Sequence, residues 1–401
     1  MLTRLTRKYG VRKITGQAIF NRATLLLSAV ECSMRGAQTM KILITGNMGY
    51  VGPSVIKQIR RSYSDATIDG FDTGYFAQCL TGVDNFPEKI LNRQVFGDVR
   101  SIKHRDLEGY DAVVMLAAIS NDPMGARFAK VTGQINQDAA TAIAITASDV
   151  GVRNLVFASS CSVYGLASGE PRREHDPVNP LTAYAASKIG TERALAAIQS
   201  DMTITSLRFA TACGMSDRLR LDLALNDFVA GALSDGQISI LSDGTPWRPL
   251  IDVADMARAI EWGVTRTADN GGRNLVVNAG HVSGNYQVRD LAEAVARAVP
   301  GCTVSINKNA PADSRSYKVD FSLFAELAPN YLPRMGIGDS INALVTGLKA
   351  LGFTDRHYRQ SSHFIRLETL KSLMNQGQLS ETLNWSVEGD LNQVYSRGLA
   401  A

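Results

Sequence analysis

The sequence has little that would tie it to a membrane, a metal or an oxidising compartment. Across its 401 residues no apolar run approaches the roughly 18–20 residues needed to cross a bilayer. The longest, around Ala112–Ile119, has the length of a buried strand, so no membrane association is expected. The five cysteines (Cys32, Cys79, Cys161, Cys213, Cys302) are odd in number, far apart and form no CxxC pair. That pattern excludes a disulfide framework and a zinc site, and it suggests reduced thiols in a cytoplasmic compartment. The five histidines are scattered and none belongs to an HExxH pair, so no metal is expected. Internal repeats and low-complexity linkers are also missing.

A strong charge imbalance is missing as well. The net charge of +4 comes from residues 1–39, which carry Arg4, Arg7, Lys8, Arg12, Lys13, Arg22 and Arg35 against Glu31 alone. The remainder has slightly more acids than bases, which argues against a nucleic-acid binder. The basic stretch can be a mitochondrial or plastid leader, a basic arm, or an extension that is not native. The last reading is favoured, because Met40 directly precedes a strand.

What is present is a rhythm of short apolar runs and helical stretches. Lys41–Thr45 (KILIT) reads as a buried parallel strand that stops at glycine, and Pro53–Arg61 as a helix with Val55, Ile56 and Ile59 on one face. Further strands are expected at Ala66–Asp72, Ala112–Leu116, Asn154–Ser159, Thr203–Phe209 and Asn274–Asn278, with an Ala-rich helix near Gln137–Val150. Strands alternating with helices indicate an α/β fold with a doubly wound, Rossmann-type parallel sheet. After about Phe209 the rhythm becomes irregular. Helices remain legible at Gln287–Val299 and Leu367–Asn375.

Three motifs carry chemistry. Gly46-Asn47-Met48-Gly49-Tyr50-Val51-Gly52 joins a strand to a helix, where glycines admit a tight turn and backbone N–H groups can meet a pyrophosphate at the positive helix end. Asp72, 20 residues beyond Gly52 at the end of the next strand, suits a ribose 2′-hydroxyl and repels a 2′-phosphate, which favours NAD over NADP. Asp69 is a rival within the same strand. Asp98, before Val99, can reach the adenine amino group or simply hold a turn. Tyr184-Ala185-Ala186-Ser187-Lys188 places a phenol and an ammonium one helical turn apart, with Pro180 and Thr182 as helix-start signals. A nearby ammonium and the positive nicotinamide ring would favour phenolate and make Tyr184 a base. Finally, Phe157–Gly165 (FASSCSVYG) sets serines at a strand's carboxyl end, where α/β sheets place ligands.

In this order the motifs resemble the extended short-chain dehydrogenase/reductase family of nucleotide-sugar epimerases and dehydratases. The matching features are GNMGYVG, Asp72, Val113–Ala118, SSCSVYG, YAASK and Trp247–Ala259, spread over about residues 41–320. The resemblance implies NAD as cofactor, a nucleotide diphosphate sugar as substrate and a homodimer formed through two helices per subunit. It implies an NAD lobe over 40–210 with a return segment at about 245–280. The substrate lobe, smaller and of mixed α/β structure, would take 211–244 and 281–401. Carried over by position, Ser160 is the catalytic hydroxyl, Tyr184 the base and Lys188 its partner. Leu116, Ala117 and Ala118 would line the cofactor, while Ser120, Ser162, Thr211, Asn226, Arg248 and Arg315 would meet the substrate, the arginines through its diphosphate.

The departures bear on the reaction. Where dehydratases carry an acid two residues after the catalytic hydroxyl, this chain has Ser162, which favours an epimerase over a dehydratase. A ketoreductase using the same residues, or a non-catalytic NAD-binding scaffold, are the remaining alternatives. Met115 stands where relatives carry histidine, and Thr211 where epimerases carry asparagine. Cys161 reads as a small buried residue. The run Cys213–Val229 and the tail beyond Tyr358 match no subgroup.

Overall fold

The computed structural model of the chain describes residues 39–82, 86–167, 169–307, 309 and 316–386. The readings of the basic stretch 1–39, apart from its last residue, and of Arg315 lie outside them. Among the described residues no helix is long and apolar enough to cross a membrane.

Seven parallel strands make the main sheet: β1 (Lys41–Thr45), β2 (Thr67–Asp72), β3 (Arg93–Phe96), β4 (Ala112–Met115), β5 (Asn154–Ser160), β6 (Thr203–Phe209) and β10 (Asn274–Ala279). Their order is β10-β6-β5-β4-β1-β2-β3. β1 lies at the point where the order reverses, paired with β2 on one side and β4 on the other. Its Ile42, Leu43 and Ile44 are wholly buried, which is why the run lacks polar alternation. Edge strand β3 carries no such run, and its Arg93 and Phe96 are exposed. Its sequence therefore gave no strand signal.

Helix α1 (Gly52–Ser62) buries Val55, Ile56 and Ile59 as the periodicity requires. The stretch expected as one helix near Gln137–Val150 is a wide π-type turn over Gln134–Ala139 followed by α3 (Ala140–Asp149), with α2 (Asp122–Arg127) upstream. α4 (Ala183–Ala196) carries Tyr184 and Lys188, and Thr182 caps it by accepting the Ala185 N–H at 3.2 Å.

β6 is buried at all seven positions although it contains Thr203, Thr205, Ser206 and Arg208. The cost of the buried Arg208 is offset by Glu192 of α4, with an Nη2–Oε2 distance of 2.7 Å. A second core lies between α5 (Ala224–Ser234), α7 (Val288–Ala298) and α8 (Ile337–Ala350), joining Phe228, Val229, Leu291, Val295, Leu344 and Leu348. Beside it run a three-stranded sheet, β11 (Asn285–Gln287), β9 (Trp247–Asp252) and β7 (Thr211–Cys213), and the parallel pair β12 (Thr303–Ile306) and β8 (Gln237–Ile240). α6 (Val253–Thr265) leads from β9 back toward β10 in the main sheet. The acids of the Trp247–Ala259 match are structural: Asp252 caps α6 and accepts from Ser340, and Asp255 accepts the Arg334 and Met335 N–H groups.

The tail departs from expectation. α9 (Arg366–Asn375) and the following turn put Leu370, Leu373, Leu379 and Leu383 into the core of the main sheet, together with Leu43, Val113 and Leu155. The tail therefore does not pack only with the second lobe. Trp385 donates its indole N–H to Thr73 O at 2.7 Å and packs in a tilted arrangement against Tyr75, with ring centres 5.7 Å apart, beside the end of β2.

Candidate active site

A cavity of about 1170 Å³ opens at the carboxyl ends of β1, β2, β4 and β5, large enough for two ligands of nucleotide size. Gly46, Gly49, Tyr50 and Val51 line it where α1 begins. Gly46 adopts φ +75°, and a Cβ there would lie 2.4 Å from Ala117 N. At Gly52 a Cβ would meet Asn47 O at 1.9 Å. Both glycines are thus required by close approach of backbone. Gly52, Asn47 and Met48 do not line the cavity, contrary to their assignment as cofactor contacts. Asn47 is buried with its amide on Gln94 Oε1 at 2.6 Å, and Met48 donates its N–H to Asp72. Asn47 and Met48 thus shape the loop through Gln94 and Asp72.

Asp72 lines the cavity at the end of β2, accepting from Met48 N at 3.0 Å and Gly74 N at 2.8 Å. Burial raises its pKa, and these two bonds oppose the rise. Each carboxylate oxygen keeps a lone pair for a ribose hydroxyl. The rival Asp69 is taken by Arg93 at 3.1 Å and Tyr110 at 2.6 Å and does not line the cavity. Asp98 and Val99 do line it, but both oxygens of Asp98 already accept from Arg100, at 3.0 and 2.9 Å from Nε. Leu116, Ala117 and Ala118 form the wall above β4, where Met115 is buried. The tight glycine turn, the free lone pairs of Asp72 and the start of α1 together fit a dinucleotide.

At the far end of the same cavity Ser160, Tyr184 and Lys188 converge. Ser160 Oγ accepts the Ser162 N–H at 3.2 Å, and its hydrogen bond to the Tyr184 hydroxyl favours phenolate. Burial is the larger effect and pushes the Tyr184 pKa up to about 12, with Asp122 adding to the rise and Arg220 opposing it. The expected help toward phenolate from an ammonium and the positive nicotinamide ring has this burial to overcome. Lys188 Nζ donates to Ala158 O at 2.7 Å and sits 5.5 Å from the centre of the Tyr184 ring. Burial lowers its own pKa to about 8 against the opposing pull of Glu192. Asn136, which the sequence did not single out, braces this corner by donating to Ser187 Oγ at 3.1 Å and Ile119 O at 3.0 Å. Cys161 is buried, donates to Arg208 O at 3.1 Å, and has a thiol pKa raised by desolvation, as befits a packing residue.

The expected substrate residues divide. Ser120, Ser162, Thr211 and Arg248 line the cavity, and the Ser162 hydroxyl is buried with no hydrogen-bond partner. Ser120 Oγ accepts from Arg220 Nη1 at 2.8 Å. Asn226 does not reach the cavity: it is fully buried, accepting Gly214 N–H at 3.0 Å and donating to Arg220 O at 2.9 Å. Its amide shapes the loop that carries Arg220, which is why a polar residue there looked like a ligand contact.

Among the lining residues that the sequence did not single out as ligand contacts are Asp122, Arg220, Tyr317, Arg359 and Arg366. Arg220 is paired with Asp222 at 2.8 Å, and Arg359 with Asp227 at 2.8 Å. Asp122 accepts from Thr182 Oγ1 at 2.8 Å and lies within electrostatic reach of Tyr184 and Tyr317. No spacing rule marks these positions. The only signal was the density of Arg and Asp in 217–227 and of Arg in 356–366.

Residues 42–280 match the model of a family described as the NAD dependent epimerase/dehydratase family. The chain is 27% identical over 281 residues to the UDP-glucose 4-epimerase of Corynebacterium glutamicum, covering 65% of this chain and 81% of that one. It is 25% identical over 244 residues to UDP-arabinose 4-epimerase 1 of Arabidopsis thaliana, covering 54% of this chain and 58% of the plant protein. This alignment thus spans little more than half of the plant relative. The solved structure of UDP-glucuronic acid 4-epimerase from Bacillus cereus, in complex with UDP-glucuronic acid and NAD, shares the fold with a TM-score of 0.65 at 21% identity. That match covers 78% of this chain and 100% of the other.

Proposed function

Because the chain belongs to the NAD-dependent epimerase/dehydratase family, we propose that it inverts a stereocentre of a nucleotide diphosphate sugar through a transient keto-sugar. The observation that carries this reading is the convergence of Ser160, Tyr184 and Lys188 in one cavity with Arg248, at a strand end whose position 162 is a serine. Gly46, Gly49, Tyr50 and Val51 hold the pyrophosphate of NAD, Asp72 its adenosine ribose, and Asp98 and Val99 its adenine edge. When bound, NAD takes a hydride from the sugar carbon and returns it.

The chain's own groups handle the proton and the orientation. Tyr184 removes the sugar hydroxyl proton as its carbon is oxidised, and Ser160 donates a hydrogen bond to the developing carbonyl oxygen. Lys188 supplies positive charge beside the phenol and offsets part of the burial that holds Tyr184 protonated. Arg248 grips the diphosphate, and Ser162 and Thr211 offer hydroxyls to the sugar. The keto-sugar then presents its other face, and Tyr184 gives the proton back.

Incubation with a panel of nucleotide sugars, with NAD and without, followed by product analysis, tests this reading. Formation of an epimer with no net consumption of NAD is the expected result. Absence of turnover of every sugar would overturn it. A dehydratase is the second reading, because Asp122 brings a carboxylate to the cavity within reach of Tyr184 and so partly replaces the acid missing at position 162. A 4-keto-6-deoxy product in the same panel would decide for it.

We further propose that residues 40–210 and 245–280 bind the cofactor, and that 211–244 with 281–357 bind the sugar. A homodimer through the outer faces of α3 and α4, where Ile145 is about half exposed, and a cytoplasmic location complete the proposal. Sedimentation of the wild type against Ile145→Glu tests the dimer.

A further inference from the structure

Three arginines, Arg218, Arg220 and Arg366, lie buried together beside the dinucleotide half of the cavity. Two have carboxylate partners: Arg218 pairs with Glu88 at 2.7 Å and Arg220 with Asp222 at 2.8 Å. Arg366 is 1% exposed, and among the described residues no carboxylate pairs with it. Its Nη1 and Nη2 donate to the backbone carbonyls of His363 at 3.1 Å and Arg218 at 2.8 Å. Its Nε is buried without a partner.

This placement is unfavourable in three ways at once. A buried guanidinium with no carboxylate in direct contact, and with Asp222 acting on it only through space while itself paired to Arg220, carries a large desolvation cost. It is the first residue of α9, where the helix dipole repels a cation. It also neighbours two other arginines, and its pKa falls to about 10, chiefly through burial. A position so costly in the empty cavity is relieved by an anion bound within reach. The guanidinium lies 5.0 Å from the ring centre of Phe76, in the segment that follows Asp72, and both residues line the cavity. Phe76 thus marks the guanidinium as belonging to the Asp72 side of the cavity.

We propose that Arg366, delivered by the C-terminal tail, is a ligand of the dinucleotide's pyrophosphate, so that the tail and the cofactor hold each other in place. The tail is fastened on both sides of this arginine. Cys79 donates to Ser362 O at 3.7 Å and Trp385 to Thr73 O at 2.7 Å. Arg100 donates to Thr382 O at 2.9 Å. Cofactor departure leaves Arg366 uncompensated and so loosens the docking of α9, and tail release opens one wall of the cavity. The inference rests on the placement of NAD in this cavity and is independent of the sugar reaction.

The test measures NAD, adenosine and UDP binding by calorimetry for the wild type, Arg366→Gln and Arg366→Lys. It also follows amide hydrogen exchange over 366–375 with and without NAD. The expected result is at least a tenfold loss of NAD affinity in Arg366→Gln, a smaller loss in Arg366→Lys, and less than twofold change for adenosine and for UDP. In the wild type, NAD slows exchange across 366–375. Unchanged NAD affinity in Arg366→Gln, or a loss confined to UDP, would overturn the inference. Should Arg366→Gln fail to fold, exchange in the wild type that is identical with and without saturating NAD would overturn it as well. Failure of the wild type to bind NAD at all would sink the site assignment itself, and the inference with it.

Discussion

The cavity has two walls built on different principles. One is the row of strand ends in the main sheet, with Gly46, Asp72, Ser160 and the α4 pair Tyr184 and Lys188. The other is assembled from segments remote in sequence: the loop before α5 with Arg220, β9 with Arg248, and the tail with Arg359 and Arg366. On the first wall each functional group is placed by its own local structure, a turn, a strand terminus or a helical repeat. On the second, side chains are placed by partners far along the chain, as when Arg220 donates to Ser120 Oγ at 2.8 Å and Arg359 pairs with Asp227 at 2.8 Å. Under the proposed function the first wall supplies the groups for proton transfer and the second mainly cations for phosphate. The contrast implies that damage to the first lowers the chemical rate and damage to the second lowers retention of ligands.

The largest effect is expected at the first wall. Tyr184→Phe removes the proton-transferring hydroxyl and lowers kcat by about 10²–10⁴-fold. Steady-state turnover of the accepted nucleotide sugar checks this, and a variant that keeps a tenth of wild-type kcat would break the contrast. Behind that wall, Glu192→Gln leaves Arg208 buried without its counter-charge and should cost about 3–5 kcal/mol of folding stability. Denaturant unfolding measures it, and a cost under about 1 kcal/mol would mean that Tyr164, 3.0 Å from Arg208 Nη1, carries the load.

The pH dependence sharpens the contrast further. Lys188 is charged below its lowered pKa of about 8 and neutral above it. The charge that assists Tyr184 is therefore lost as pH rises through 8, and kcat/KM should fall about tenfold between pH 8 and pH 9 or slightly beyond. In Lys188→Arg the charge persists, and the ratio of activity at pH 9 to that at pH 7 should rise above the wild-type ratio. An alkaline limb at the same pH in both proteins would assign it to another group. The smallest effect is expected in the tail. Trp385→Phe removes one hydrogen bond, worth about 0.5–1.5 kcal/mol. It should speed amide exchange over 379–385 and leave the midpoint of global unfolding in place. A shifted midpoint would mean that the end of the tail unfolds with the core.

Much of the first wall was legible because its signals are local. The apolar run of β1 ends at a glycine that only a positive φ and a 2.4 Å approach to Ala117 require. Asp72 follows at the end of the next strand, and Thr182 caps α4 three residues before Ala185. Legibility failed where a local signal had two physical meanings. Asn226 is a polar residue at a plausible ligand position, yet its amide is spent on Gly214 and Arg220. Tyr184 has its lysine one turn away, yet burial, which the spacing does not reveal, raises the pKa of its phenol. β3 lacks an apolar run because an edge strand need not bury both faces.

By itself the amino-acid sequence determined the doubly wound sheet, the dinucleotide turn and the Tyr184–Lys188 pair, since periodicity and spacing within a few turns of chain encode all three, while Ser160 was singled out by the family resemblance. Tertiary structure alone decided that Asn226 does not face the cavity and that Arg366 comes to lie beside Phe76. Burial and charge pairing depend on which distant segments meet, and no short stretch of sequence states that.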